Sequence, residues 1–186
     1  MKLTRNKSIA LFALLVLLMA ATRSHHFDSL THLPDASLAA FLLAGIYLPL
    51  AAFPALLLVA GLADYSAINY AGVSDWCVSP AYWFLIPTYA VMWYAGRFYA
   101  ARHSQSWRSL SLFTATALVA TSMAFVISSG SFFLFSGRFA EMSALQYAGS
   151  VAKYYGLYLT GAFLYLSIAA CVQIAAANLS GRSAHA

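Results

Sequence analysis

Apolar stretches of near-spanning length recur along almost the whole chain, separated by short polar segments. That pattern leaves few options. A hydrocarbon core about 30 Å thick takes roughly 20 apolar residues as a helix, and irregular backbone finds no hydrogen-bond partners in lipid. Composition closes the alternative of a soluble domain: of 186 residues 62% are hydrophobic and 8% charged, with a mean hydropathy of +0.75. Soluble domains carry about 25% charged residues. A chain this short cannot hide so much apolar surface in one aqueous core. The expected fold class is therefore all-α, a polytopic membrane protein forming a six-transmembrane-helix bundle, with residues 1–186 as one integral membrane domain.

The spans are expected near 9–22, 37–49, 54–68, 80–100, 109–128 and 151–177. The first follows Lys2, Arg5 and Lys7, so it also resembles a secretory signal peptide; a retained first helix is the preferred reading. Pro49 and Pro54 predict a tight turn between the second and third spans rather than one kinked helix. Ser79-Pro80 reads as the N-cap and first position of the fourth span. A long loop is expected over 128–150, with Gly130, Gly137, Arg138 and Glu141.

Six spans put Lys2, Arg5, Lys7, Arg97, Arg102, Arg108 and Arg182 on one side, and Arg23, Arg138 and Lys153 on or near the other, which is seven of the ten bases against three. By the positive-inside rule the seven mark the cytoplasmic side, where both termini then lie. Asp28, Asp35, Asp64, Asp75 and Glu141 all fall in or beside the outward loops. Those loops are the longer and more polar ones, so a binding site is expected there, facing outward. The basic charge flanks apolar segments instead of forming a patch, which argues against nucleic acid; the lipid bilayer is the expected surrounding partner.

Cys77, in Asp75-Trp76-Cys77-Val78-Ser79-Pro80, is the sharpest candidate for chemistry. A helix N-terminus just beyond it would favour the thiolate, a soft ligand for a transition metal. A cysteine simply packed on Trp76 is the structural alternative. His25, His26 and Asp28, with His32 farther on, offer imidazole and carboxylate ligands suited to zinc or copper, without a zinc-motif spacing. Asp64 ends an apolar span, where an acid needs a partner or a function. It is read either as a pocket wall or as a carboxylate reaching the interface, with Lys153 as a candidate partner. Tyr82, Tyr89 and Trp93 lie seven and four residues apart on one helix face. That face suits a planar ligand, or else belongs to an interfacial aromatic belt. Small residues at Ala36/Ala40/Ala44 and Gly156/Thr160 predict close helix packing. There is no P-loop, HExxH, GxSxG or GxGxxG element, so nucleotide hydrolysis and dinucleotide binding are not expected.

Six short spans, outward loops and no nucleotide site resemble the S-components of energy-coupling-factor vitamin transporters. More narrowly, RSHHFDSLTHLPDAS leading into the second span, together with DWCVSPAYWF, is similar to the BtuM group of solitary S-component-like proteins of bacteria. The resemblance implies an inner-membrane protein for uptake of cobalamin, vitamin B12, as the carried ligand. It implies Cys77 as a ligand of the corrin cobalt, with His25, Asp64 and Tyr82 as pocket residues; Trp76 and Tyr89 are further cofactor-binding candidates from the aromatic pattern itself. A thiolate opposite the upper axial ligand would assist its removal, so a decyanation side activity centred on Cys77 is expected. Typical S-components dock on their coupling subunit through Ala-xxx-Ala in the first helix. Here Ala10 and Ala13 are followed four residues on by Leu14 and Leu17, which weighs against an energy-coupling-factor module as partner. The alternative is a membrane metalloprotein or enzyme using the His25/His26/Asp28 loop cluster.

Overall fold

The computed structural model describes residues 3–23, 33–104 and 106–183, with the backbone alone for Cys77 and residues 178–183. Among the described residues there are six α-helices and no strand: α1 (Arg5–Arg23), α2 (Ser37–Tyr47), α3 (Ala52–Tyr70), α4 (Leu85–Ala100), α5 (Trp107–Phe135) and α6 (Ala144–Ser183). Each expected span overlaps one helix. Four of them, α1, α3, α5 and α6, are long and apolar enough to cross a membrane. Leu14, Leu17, Leu58, Leu62, Val126 and Leu157 lie on their outer surfaces, each more than half exposed. A surface this apolar belongs in lipid rather than water.

α2 is the exception. Its 11 residues rise only about 16 Å, half of a ~30 Å hydrocarbon core. Nine of them are buried, because α2 is enclosed by the other helices. Its closest partner is α4. A Cβ added to Gly45 would meet the Trp93 carbonyl oxygen at 2.2 Å, and one added to Gly96 would meet that of Leu42 at 2.2 Å. The two backbones touch, and only glycine lets them. Ala36, Ala40 and Ala44 are fully buried, as their spacing predicts, whereas Gly156 and Thr160 are exposed, and a Cβ added to Gly156 would meet open space.

The ends of the helices alternate. Arg97 donates to the Leu48 carbonyl at 2.8 Å and Tyr47 to Gln173, while the Tyr99 hydroxyl meets His103 Nδ1 at 2.8 Å. These contacts form one end of the bundle, the basic one. At the other, acidic end, Phe84 stacks on Phe135 with centroids 4.8 Å apart, and the Arg138 guanidinium carbon lies 3.9 Å from the Trp76 ring centroid.

Two regions differ from the sequence expectation, each for a physical reason, and the proline turn agrees with it. The loop expected over 128–150 contracts to 136–143. Ser131 satisfies its hydroxyl on the Ser128 carbonyl, and Phe133, Phe139 and Tyr147 pack together beyond it, so α5 runs on to Phe135. Gly137, at φ +70°, then ends it in the left-handed conformation that terminates helices. The turn at Pro49 and Pro54 separates two helices, as expected, with the Ala52 amide bonded to the Pro49 carbonyl. Finally, α4 does not start at Pro80. Residues Pro80–Phe84 form a 3-10 segment, and Ser79 is extended without capping it. Pro87 lacks the N–H that an α-helix would direct at the Trp83 carbonyl, so regular helix begins at Leu85, where Pro87 is third and its N–H is not needed.

Gly45→Ala and Gly96→Ala are each expected to destabilise the detergent-solubilised protein by at least about 1–3 kcal/mol, since backbone has to move. Gly156→Ala faces open space and should hold or raise the unfolding midpoint. Thermal unfolding of the three variants side by side checks this.

Candidate functional site

The acidic end is organised by a buried guanidinium. Arg23, the last residue of α1, is 2% exposed. Its Nε donates to Asp64 Oδ1 at 2.6 Å and its second terminal nitrogen to Asp64 Oδ2 at 2.8 Å, a two-pronged pair across α1 and α3. The other terminal nitrogen donates to Ser37 Oγ at 2.8 Å and to the Tyr89 hydroxyl at 2.6 Å. Asp35 Oδ2 lies 3.8 Å from that nitrogen. One side chain thus joins α1, α2, α3 and α4, and the Tyr82 hydroxyl brings in the 3-10 segment by donating to Asp64 Oδ2 at 2.7 Å.

These polar groups meet because α2 starts inside the bundle. A helix start carries free N–H groups that lipid cannot satisfy. Asp35 Oδ1 accepts from the Ser37 amide at 2.9 Å and from its hydroxyl at 2.6 Å. The Ala36 amide donates to Thr22 Oγ1 at 3.1 Å, and Tyr165 of α6 donates to the Pro34 carbonyl at 2.7 Å. Every partner comes from a neighbouring helix or from the turn itself.

Helix α2 also packs against α6. A Cβ added to Gly161 would meet the Asp35 carbonyl oxygen at 3.4 Å and Pro34 Cβ at 3.5 Å. The Arg23 network lies at this start of α2.

The sequence candidates fall as follows. Asp64 and Tyr82 are bonded to each other. The partner of Asp64 is Arg23, not Lys153, whose ammonium lies 5.0 Å from the Tyr154 ring centroid. Tyr89 is buried, with its hydroxyl on Arg23 and its ring stacked on Phe41 at 4.3 Å and 4° between planes. Trp93 is buried edge-on to Phe53. The face of Tyr89 and Trp93 that was expected to suit a planar ligand is therefore filled by the protein's own Phe41 and Phe53. Trp76 is 53% exposed beside Arg138. Cys77 closes a one-turn 3-10 element, Asp75–Cys77, five residues before Tyr82 in the α3–α4 connection. The regular helix N-terminus expected immediately after it lies eight residues farther on, so the dipole argument for its thiolate does not hold in that form. His25, His26, Asp28 and His32 lie outside the described residues. Among the described residues no group of three or more His, Cys, Asp or Glu is placed to hold a metal.

Sequence reasoning missed Arg23, treating it as a topological charge beyond the first span. One signal was available. An acid at the end of a span calls for a base at the same depth, and Arg23 is the base closest in sequence to the acidic side of α1.

The site belongs to a helical bundle of membrane type, with a charged, hydrogen-bonded network at one end. The chain matches no protein-family model, and no curated protein shows significant similarity to it.

Replacing Arg23 by Met removes the guanidinium that balances the Asp64 carboxylate in a largely buried position. The expected loss is about 3–5 kcal/mol, with much of it recovered in the Arg23→Met/Asp64→Leu double variant. Unfolding of the two singles and the double in detergent gives the coupling.

Proposed function

We propose that this chain is a cobalamin-binding membrane protein for vitamin B12 uptake, crossing a bacterial inner membrane six times with both termini cytoplasmic. The acidic end faces outward, and the seven bases of the opposite end face the cytoplasm. Cobalamin binds at the acidic end, and Cys77 supplies a thiolate to the corrin cobalt. The observation that carries this reading is that Asp64 and Tyr82, two of the expected pocket residues, are bonded to each other beside the connection bearing Cys77, with Tyr89 held on the same Arg23.

In this reading Asp64 and Tyr82 act as a pair fixed by Arg23, and Tyr89 stands beneath them as support. Thiolate donation to cobalt weakens the bond to the axial ligand on the opposite face. From cyanocobalamin, cyanide would leave with its bonding electron pair, so the exchange is a ligand substitution in which the metal keeps its oxidation state. With no nucleotide-binding element in the chain and no Ala-xxx-Ala in α1, uptake would proceed without an energy-coupling-factor module of its own.

The test is a titration of the purified protein with cyanocobalamin. The wild type is expected to become red and to shift the corrin absorption bands. Cys77→Ala should lose the shift and bind at least about tenfold more weakly, equivalent to about 1.4 kcal/mol. Wild type that stays colourless while binding zinc through His25 and His26 would instead select the metalloprotein reading. Growth rescue of a B12-dependent strain lacking its own importer separates uptake from binding alone.

A further inference from the structure

We propose that Arg23 is a positioning residue for the α3–α4 connection: by holding Asp64 it fixes Tyr82, and through Tyr82 the backbone that carries Cys77. The two oxygens of Asp64 are used unequally. Oδ1 receives Arg23 Nε, while Oδ2 is shared between the Arg23 fork at 2.8 Å and the Tyr82 hydroxyl at 2.7 Å. A carboxylate gripped at both oxygens by a planar guanidinium cannot rotate, so the direction in which Oδ2 meets Tyr82 is set by Arg23. Arg23 is itself held by Ser37 and Tyr89, both on helices packed in the core. The relay therefore runs from the rigid α2–α4 contact, through Arg23 and Asp64, to Tyr82.

The connection needs such an anchor. After α3 the chain passes through Gly72 at φ +69°, a single 3-10 turn at Asp75–Cys77 and extended Ser79 before the second 3-10 segment starts at Pro80. Trp76, Val78 and Trp83 are each more than half exposed, so little packing restrains the stretch. Its backbone bonds are local, with Val78 donating to Asp75 and Tyr82 to Ser79. Among the described residues, the side-chain ties reaching beyond the stretch include the stacking of Arg138 on Trp76, the Phe84–Phe135 stack and the Tyr82–Asp64 bond. Only the last of these is a directional bond to a charged group, the stronger kind of hydrogen bond. A ligating atom must be held to a fraction of an ångström, and a shell of supporting bonds normally supplies that.

The inference rests on the proposed role of Cys77 only for its purpose, so the experiment is run without cobalamin. In full-length protein carrying Cys171→Ser, Cys77 is the remaining thiol, and its reaction with a water-soluble maleimide reports how the connection is held. Tyr82→Phe removes one hydroxyl and keeps the ring. It is expected to raise the labelling rate about tenfold, the loss of one charge-assisted hydrogen bond. Tyr89→Phe touches neither Asp64 nor Tyr82 and keeps its stack on Phe41, loosening Arg23 alone. It should raise the rate by a smaller factor, and add nothing in the Tyr82→Phe background. Tyr99→Phe, which removes a hydroxyl bonded to His103 and Ser109 at the opposite, basic end, should label at the parent rate while folded. A Tyr82→Phe rate equal to or below the parent rate overturns the proposal. So does a Tyr89→Phe effect that is absent or that multiplies with Tyr82→Phe, or a Tyr99→Phe rate matching theirs. Loss of cobalamin binding with this labelling pattern intact would count against the proposed function and leave the positioning role standing.

Discussion

A guanidinium enclosed among apolar helices is the constraint around which the acidic end of this protein is arranged. Burying Arg23 is unfavourable unless its donors are met, because removing an ion from water costs several kcal/mol. The structure meets four N–H directions with Asp64, Ser37 and Tyr89. The net stabilisation from such a pair is small, since an apolar replacement of the whole set would do about as well. Its consequence is geometric. The ends of α1, α2 and α3, the 3-10 segment before α4 and α4 itself can meet in only one arrangement that leaves none of these groups unpaired.

The short α2 explains why the network sits where it does. A helix that stops within the bundle must satisfy its first N–H groups with side chains, and Asp35 and Thr22 do so. Its tight seat against α4 in turn requires Gly45 and Gly96. Close packing below and polar capping above are two sides of one solution. Together they let a central helix of about half the membrane's depth remain stable.

Much of this architecture is legible in the sequence, and the failures have identifiable causes. Lipid allows only regular helices, so apolar run length located all six elements, and paired prolines separated α2 from α3. Serine and glycine at 128–131 were read as a loop because they break helices in water. In this bundle the Ser131 hydroxyl bonds back to the preceding turn, and the Phe133–Tyr147 cluster rewards continuation. The 3-10 segment was missed because Pro80 gives the stronger start signal, while the decisive residue is Pro87, which acts on the turn before it. Of the expected aromatic face only Tyr89 and Trp93 stand on α4; Tyr82 lies on the 3-10 segment before it and reaches the network through Asp64. The occupant of that face, Phe41, comes from another helix, and one-dimensional spacing carries no information about that. Arg23 failed for a different reason. Bases near span ends normally serve orientation, and nothing local distinguishes one that turns inward from one that stays in the interface.

The same carboxylate that completes the scaffold also holds the α3–α4 connection through Tyr82. The Asp64 side chain remains 13% exposed, against 1% for Arg23. A fully buried pair would fold as well, and an exposed acid would hold Tyr82 only loosely, because water competes for it. The intermediate position gives Asp64 one oxygen for the bundle and a shared one for the connection above. The connection is thereby tied to the closely packed α2–α4 pair through three side chains rather than through the irregular chain between Tyr70 and Pro80. A site built on loops acquires precision from the elements beneath it, and here the sequence separation of 41 residues between Arg23 and Asp64 is the reason neither residue announces the other.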